Sequence, residues 1–309
     1  MPELPKLVIA GAGGVVGQAL LGASEGRFER VVLTRGGTDP AGVMAVRWSP
    51  SAEHEGDEDE LERLAAVLDG AAAIVNLAGS SIADGRLSDE HLRRLRESRV
   101  QVAATLIAAA QRAAAPPPVW FQASGADIYG DRGEEELDER APIVGDAPLV
   151  ELVRVWEGSA EPARAFARVV VGRLGVVLAP EAQAWRKLLL PIRLFVGGPF
   201  GSGRQYFPWI MQDDAARAIL FLIDSERASG PYNLVAQPTR QIELTRAAAR
   251  RLRRPALIPA PAFALRLALG RVADALLLSS RRVVPSRLLE DGFRHDAWTA
   301  EQAVAKLLP

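Results

Sequence analysis

The sequence predicts an α/β protein with a doubly wound parallel sheet and a small, mostly helical C-terminal lobe. Short apolar runs alternate with helix-compatible segments up to residue 178, and proline, glycine and tryptophan become frequent beyond Val176. Strands covered on both faces read as continuous apolar runs, and alternation with helices is typical of parallel sheets. We place the sheet domain in residues 1–178 and about 209–236, and the lobe in about 179–208 and 237–309.

The first strand and the turn that follows it form the most informative stretch. Leu7 to Ala10 is an unbroken apolar run, and Gly11, Gly14 and Gly17 follow before a helix over about 15–24. Such glycines allow a tight turn, leave room for a phosphate, and let the helix pack close to the strand. The pattern predicts a Rossmann-type site for a dinucleotide diphosphate, with a purely structural turn as the alternative. The residues expected to bind are Gly11, Gly14, Val15, Val16 and Gly17.

The end of the second strand bears on the choice between NAD and NADP. Val31 to Leu33 is a β-rich run, and Thr34 and Arg35 follow it. An acidic residue at this point binds the 2′-hydroxyl of NAD, whereas arginine offers two parallel hydrogen bonds to the 2′-phosphate of NADP. We therefore predict NADP(H), bound by Thr34 and Arg35. A solvated loop arginine is the alternative.

The next segments predict two strands separated by a helix. Val43 to Trp48 is the third strand, the acidic run Glu53 to Glu60 has the composition of a solvated loop or helix start, and Leu61 to Leu68 is helical. Ala72 to Leu77 is the fourth strand. Small residues at the carboxyl end of a parallel strand leave space for a ligand. This predicts further cofactor contacts from Leu77, Ala78 and Gly79.

Two helices and two strands complete the predicted sheet domain. A long helix begins after Ser88 as N-cap and ends near Ala114, before prolines 116–118. Val119 to Ala123 is a strand, about 149–166 is a helix, and Arg168 to Leu174 is the sixth strand.

Composition argues against several classes of site. The chain has no cysteine, and its three histidines lie far apart, so we expect no metal site. A net charge of −1 gives no drive toward nucleic acid. The arginines between 246 and 254 have the spacing of a solvated helix face. We expect a small-molecule substrate as the partner.

Two stretches bear on location. Met1 to Lys6 lacks the order of a signal peptide, which predicts a cytoplasmic protein. Ala260 to Leu278 is apolar, but a proline and charged residues interrupt it before it reaches the length of a membrane span. We predict an amphipathic helix pair that covers a core there, and no membrane partner.

Several motifs together resemble the extended short-chain dehydrogenase/reductases. They are GxxGxxG at Gly11–Gly17, NLAG at Asn76–Gly79, the segment Ser124–Gly130 and RLGVVL at Arg173–Leu178. Others resemble an atypical subgroup described as nucleoside-diphosphate-sugar epimerase-like, and also labelled cell-division-inhibitor-like. These are LTR at Leu33–Arg35, SRV at Ser98–Val100, YGDRG at Tyr129–Gly133, WE at Trp156–Glu157, GGPFGSGRQ at Gly197–Gln205, WI before Asp213–Asp214, and residues 254–309.

The resemblance implies an NADP(H)-binding fold with a small lobe over the nicotinamide and no established substrate. It implies that the glycine turn holds the diphosphate, Arg35 the 2′-phosphate, Ala78 and Gly79 the adenosine-ribose side, and that Ser124 lies near the nicotinamide. A homodimer through a helix pair, common in relatives, is a further hypothesis.

The chain departs from its relatives at the catalytic pair. Ordinary members use Tyr-x-x-x-Lys, but none of the three tyrosines here has a lysine four residues on. The matching positions are interpreted as Leu149 and Val153, neither of which can move a proton. The subgroup commonly has histidine after Trp-Ile, where this chain has Met211.

Three residues stay candidates for chemistry. Ser124 can donate a hydrogen bond to a carbonyl oxygen or serve only as a cofactor contact. Tyr129 is a candidate acid, with simple packing beside Gly130 as the alternative. Arg204, in a glycine-rich loop, is either a substrate anchor or a solvated arginine. Two function classes therefore stay open: an NADP-dependent oxidoreductase or epimerase-like enzyme, and an NADP(H)-binding regulatory protein.

Overall fold

The computed structural model describes residues 3–36, 42–50, 58–82 and 87–308. Eleven strands lie within these ranges: β1 Lys6–Ala10, β2 Glu29–Thr34, β3 Met44–Arg47, β4 Ala73–Asn76, β5 Val119–Gly125, β6 Glu136–Leu137, β7 Arg168–Leu174, β8 Val176–Leu178, β9 Trp209–Met211, β10 Gly230–Leu234 and β11 Arg282–Val283.

The same ranges contain ten α-helices: α1 Val15–Ala23, α2 Glu58–Leu68, α3 Asp89–Arg112, α4 Pro148–Gly158, α5 Gln183–Arg193, α6 Gln212–Asp224, α7 Gln241–Leu252, α8 Ala262–Leu269, α9 Ser286–Glu290 and α10 Ala300–Leu307. Short 3₁₀ helices cover Ala126–Tyr129 and Glu161–Ala165, and a π-helix covers Ala273–Leu278.

Seven parallel strands form the central sheet in the order β10-β7-β5-β4-β1-β2-β3. The chain runs outward from β1 through β2 to β3, then returns to β4 on the other side of β1 and continues outward. A crevice opens at such a reversal, outside the carboxyl ends of the strands, and ligands bind there. The fold therefore sets a ligand site between β1 and β4.

Alternate residues of β1 face two separate cores. Leu7 and Ile9 pack in a cluster with residues of α1 and α6, whereas Val8 and Ala10 pack in a second cluster with residues of α2 and α3. All four side chains are fully buried. This is why β1 reads as a continuous apolar run. The two helical layers fix the position of the sheet edge that carries the ligand crevice.

The C-terminal segments add a third core. Trp185 of α5, Leu244 of α7 and Val304 of α10 belong to one buried cluster beside the small parallel pair of β8 and β9. Val15, at the start of α1, packs against this cluster.

The predicted elements agree with the observed ones except at two places. The helix predicted over about 149–166 ends at Gly158, and a 3₁₀ helix that contains Pro162 follows, because proline cannot donate an N–H to an α-helical ladder. Of the acidic run predicted as a loop or a helix start, Glu58 to Glu60 start α2, and residues 53–57 lie outside the described residues.

The second difference concerns the apolar stretch near residue 260. It forms α8 and the π-helix, but no residue of α8 is buried, and Phe263 and Leu267 are 72% and 83% exposed. The prediction that this pair covers a core is wrong for α8, because α8 packs against the π-helix and not against the sheet. Among the described residues, no helix has the length and apolar character needed to cross a membrane.

Candidate functional site

The glycines in the turn between β1 and α1 differ in why glycine is suited to each position: two allow close backbone packing, and one leaves open space. Gly11 has a φ of +88°, and a Cβ there would lie 2.6 Å from the carbonyl carbon of Leu77. A Cβ at Gly17 would lie 2.5 Å from the Cα of Ala12, so glycine is what lets α1 pack against the turn. A Cβ at Gly14 would meet only the Gly11 oxygen, at an ordinary 3.6 Å. The chain itself does not require glycine at position 14, and the space beside it is open to a ligand.

The first turn of α1 supplies backbone donors. Gly14 is the N-cap, and no side chain caps the helix or places an acidic group in its first turn. Gln18 donates the first intrahelical bond, to the Gly14 oxygen at 2.9 Å, so the N–H groups of Val15, Val16 and Gly17 have no intrahelical acceptor. The side chains of Val15 and Val16 pack against core clusters. Their backbone donors and the helix dipole favour a bound anion.

The glycine turn borders a cleft of about 650 Å³ at the carboxyl ends of β1, β2 and β4. Most of the residues predicted to bind the cofactor line it together: Gly11, Gly14, Thr34, Arg35, Leu77, Ala78 and Gly79. The sequence analysis missed other lining residues, among them Gln18, Trp48, Ser49, Pro50, Ser80, Ser98, Gln101 and Val102. They come from α1, the loop after β3, the end of β4 and one face of α3. Helical spacing links 98, 101 and 102, but it does not reveal which helix face meets the cleft.

Arg35 lies where β2 leaves the sheet. The Thr34 hydroxyl donates to the Gly36 carbonyl oxygen at 2.8 Å and accepts from the Gly36 N–H at 3.2 Å. This local turn fixes the backbone on both sides of Arg35, whose side chain is exposed on the cleft wall. A guanidinium held there is free to accept a second anionic group beyond the one favoured at the glycine turn.

Ser124, at the end of β5, belongs to a buried polar network and lines neither the cofactor cleft nor the second cleft described below. Its hydroxyl donates to Glu157 Oε1 at 2.6 Å. Arg173 donates to both oxygens of Glu157, at 2.9 and 3.0 Å. Burial lowers the pKa of Arg173, but hydrogen bonds and charge attraction to Glu157 outweigh it and hold that pKa above its usual value. The Ser124 hydroxyl proton is therefore hydrogen-bonded to the Glu157 carboxylate, which is itself ion-paired with Arg173.

Tyr129 is the other end of the same network. Its side chain is fully buried, and its hydroxyl accepts from Arg173 at 2.9 Å and donates to Asn233 Oδ1 at 2.8 Å. Burial raises the pKa of Tyr129, and this opposes the lowering that an acid at neutral pH requires. The geometry favours the packing alternative for Tyr129 over proton transfer.

Glu157 and Arg173 are the polar residues that the sequence analysis did not assign. Each stands in a motif of the family resemblance, but the residues are 16 apart in the chain and lie on different elements, α4 and β7. A motif marks them as noteworthy; only the packing of α4 on the sheet reveals that they meet.

α4 also carries the two positions interpreted as those of the missing catalytic pair. Leu149 is buried with Leu87, Leu95 and Leu152, and Val153 is buried beside Tyr129. Both side chains are apolar, so neither of these two positions offers an acid or base.

A second cleft, of about 420 Å³, lies between the start of α4 and the C-terminal lobe. Leu149 lines it together with Asp127 and Arg281, which form an ion pair at 2.8 Å. Arg204 is exposed and lines neither cleft, and its carbonyl oxygen accepts a hydrogen bond from Arg240. The structure therefore brings Leu149, but not Arg204, to the edge of a cavity.

Comparison with known proteins agrees with this architecture. The NAD-dependent epimerase/dehydratase family matches residues 7–235, and a domain of unknown function, DUF1731, matches residues 260–307. An epimerase family protein of Mycobacterium leprae is 34% identical over 301 residues, which are 97% of this chain and 94% of that protein. The epimerase family protein SDR39U1 of Bos taurus is 36% identical over 72% of this chain and 77% of its own length.

Solved structures give the same result. Human SDR39U1, in a crystal structure with NADPH, has a TM-score of 0.86 and 28% identity over 98% of this chain and 99% of its own. A nucleoside-diphosphate sugar epimerase from Corynebacterium glutamicum has a TM-score of 0.77 and 29% identity over 99% of this chain and 58% of its own. The sheet, the glycine turn and these matches together mean that the chain belongs to the NAD-dependent epimerase/dehydratase family, as an atypical, epimerase-like extended short-chain dehydrogenase/reductase.

Proposed function

We propose that the chain binds NADP(H) in the cleft at the carboxyl ends of β1, β2 and β4 and acts as an NADP(H)-dependent oxidoreductase or epimerase-like enzyme. The observation that carries the proposal is that an open glycine cradle at Gly14 and the exposed Arg35 line the same cleft. A ligand with a diphosphate and a second phosphate matches both. The human relative solved with NADPH supports the same cofactor.

Each wall of the cleft suits one part of that ligand. The N–H groups at the start of α1 would hold the diphosphate beside Gly11 and Gly14. Thr34 and Arg35 would hold the 2′-phosphate, because a planar guanidinium matches phosphate in two parallel bonds. Leu77, Ala78 and Gly79 would line the ribose side. Room for the cofactor exists at Gly14, where a Cβ would be tolerated by the chain but would enter the cradle.

When bound, the nicotinamide supplies hydride transfer to or from a carbon of the substrate. The chain must then orient that carbon and manage the charge on its oxygen. Ser124 remains our candidate for an oxygen contact near the nicotinamide, with its proton held by Glu157 at 2.6 Å until a substrate competes for it. The second cleft, lined by Leu149 and Arg281, is the candidate substrate space. Arg204, which lines neither cleft, stays a proposed substrate anchor.

A second function is favoured by the state of the polar network. Tyr129 is buried and the Ser124 proton is hydrogen-bonded to Glu157, so neither of the two residues proposed for chemistry offers a free proton to a substrate oxygen. An NADP(H)-binding regulatory protein needs the cofactor cleft and nothing more. Screening carbonyl and nucleotide-sugar compounds for NADPH consumption separates the two: turnover supports the enzyme, and silence across a broad panel supports the regulator.

The cofactor itself is tested by titrating the protein with NADPH and NADH, beside Arg35→Ala. Losing a hydrogen-bonded charge contact should cost about 1.5 to 3 kcal/mol, which is about 10- to 150-fold in the NADPH Kd. NADH affinity should change little, because NADH has no 2′-phosphate. Equal binding of NADPH and NADH by the wild type would contradict the NADP assignment.

The domain limits, a homodimer and a cytoplasmic location stay predictions. Light scattering at working concentration tests the homodimer, and a monomer would remove it. Limited proteolysis, with the stable fragments identified by mass, tests the domain limits.

A further inference from the structure

Arg99 is a buried cation of unusual surroundings. It lies on α3, and only 5% of it is exposed. Its Nη1 donates to the carbonyl oxygen of Leu95, one turn earlier in the same helix, at 3.1 Å. Its guanidinium stacks on the ring of Trp156 at 4.4 Å, and its Nε is buried without a hydrogen-bond partner. Burial lowers the pKa of Arg99 to about 10, and it still carries its charge at neutral pH.

The other buried arginines are neutralised. Arg173 pairs with Glu157 at 2.9 Å, and Arg281 pairs with Asp127 at 2.8 Å. Within the described residues, no carboxylate pairs with Arg99. A buried charge without a counter-charge is costly, since burial removes its hydration, and the Leu95 oxygen and the Trp156 ring supply no opposite unit charge. An anion bound from outside the chain would supply that counter-charge.

The position of Arg99 indicates which anion that is. A Cβ placed on Gly79 would lie 3.1 Å from the Cζ of Arg99, so the guanidinium rests directly against the Gly79 backbone. Gly79 lines the cofactor cleft. The backbone of the two residues before it, Leu77 and Ala78, packs against Gly11. The neighbour of Arg99, Ser98, accepts from the Ser80 N–H at 3.3 Å and also lines the cleft. The charge therefore lies one backbone layer behind the cleft wall that faces the glycine turn.

We propose that Arg99 is a positioning residue of the cofactor cleft, whose buried guanidinium, behind Gly79 on the ribose-side wall, supplies positive charge that attracts the cofactor diphosphate held across the cleft at the glycine turn. This inference rests on the proposed function, because it requires NADP(H) in the cleft. The proposal gives a role to the SRV motif at Ser98–Val100 on α3, to which the proposed function assigns none.

The test compares two ligands and matched variants. NADPH carries a diphosphate, whereas adenosine 2′-monophosphate keeps the 2′-phosphate and adenine but has no diphosphate. Arg99→Met should raise the NADPH Kd by about tenfold or more, the scale of two unit charges separated by one backbone layer at an effective dielectric constant of about 20. It should leave the Kd of adenosine 2′-monophosphate within about twofold, since Arg35 is unchanged. Arg35→Ala should weaken both ligands.

Stability of the ligand-free protein gives a second readout. Arg99→Met removes an unneutralised buried charge and should leave the Tm equal to or above that of the wild type. Arg281→Met strands the Asp127 carboxylate and should lower the Tm. Arg99→Lys keeps the charge and should recover part of the NADPH affinity that methionine loses. If Arg99→Met does not fold, Arg99→Gln takes its place as the neutral variant.

Two results overturn the inference. In the first, the neutral variant has a lower Tm than the wild type, and its affinities for NADPH and adenosine 2′-monophosphate keep the wild-type ratio. Arg99 would then be a residue that only packs on Trp156. The other is NADPH affinity equal to that of the wild type. If the wild type binds NADPH and the Arg99 variants bind it equally well, the proposed function stands and this inference fails. If the wild type does not bind NADPH, both fail.

Discussion

Replacing Arg173 by methionine should lower the free energy of unfolding by roughly 3 to 5 kcal/mol, the usual cost of stranding one member of a buried ion pair. The side chains of Arg173 and Glu157 are only 5% and 16% exposed, and two hydrogen bonds of 2.9 and 3.0 Å join them. The variant leaves the Glu157 carboxylate with the Ser124 hydroxyl as its remaining partner in the network. The hydroxyl of Tyr129 also loses its donor.

Thermal denaturation and urea unfolding measure this cost. At about 2.1 cal/mol/K per residue, a chain of this length has an unfolding entropy near 650 cal/mol/K, so the loss corresponds to a Tm lower by roughly 5 to 8 °C. Arg27→Met is the matched control, because Arg27 pairs with Asp224 at 2.7 Å but both side chains are about half exposed. That surface pair should contribute at most about 1 kcal/mol.

A double-mutant cycle identifies the cause. Glu157→Gln removes the negative charge and keeps an acceptor for Ser124. Combined with Arg173→Met, it should cost about 1 to 3 kcal/mol less than the sum of the two single changes, because each single change strands a charge and the double change strands none. Additive costs would refute the reasoning, since they would mean that Arg173 and Glu157 do not interact in solution.

Three further predictions concern the glycine cradle, Tyr129 and pH. Gly14→Ala should change the unfolding free energy by less than about 1 kcal/mol, because φ is −79° and a Cβ meets only an ordinary contact, yet it should weaken NADPH binding about tenfold or more. Calorimetry that finds unchanged affinity would place the diphosphate elsewhere. Tyr129→Phe should cost about 1 to 3 kcal/mol, because Arg173 and Asn233 each lose a buried partner, and NADPH titration should be unaffected. A large loss of affinity would restore a functional role for the tyrosine. Burial lowers the pKa of His295 below its unfolded value of 6.5, so its contribution to stability is present above pH 6.5 and is lost as the pH falls below it. Urea unfolding at two pH values should therefore show a smaller acid loss for His295→Gln, and identical losses would contradict this reasoning.

The location of the cofactor cleft could be predicted from sequence because its determinants are local. An apolar run, three glycines and a helix follow one another within Leu7–Gly17, and backbone sterics alone limit what such a segment can form. The carboxyl ends of β2 and β4 then meet the glycine turn in any doubly wound sheet. For this reason Arg35 and Gly79, far apart in the chain, were assigned to one site, and both line the same cleft.

Contacts between distant side chains were beyond the sequence. Ser124 and Glu157 are 33 residues apart, and their meeting depends on how α4 packs on β5 and β7. The same holds for Arg99 behind Gly79, because helical spacing defines the faces of α3 but not the one that turns toward the sheet. Burial also decided the chemistry of Tyr129, which a motif alone presents as a candidate acid. The fold and the cofactor cleft can be predicted from the sequence, because local periodicity and glycine sterics encode them. Which buried charges are neutralised can be read only from the tertiary structure, because it depends on packing between distant elements.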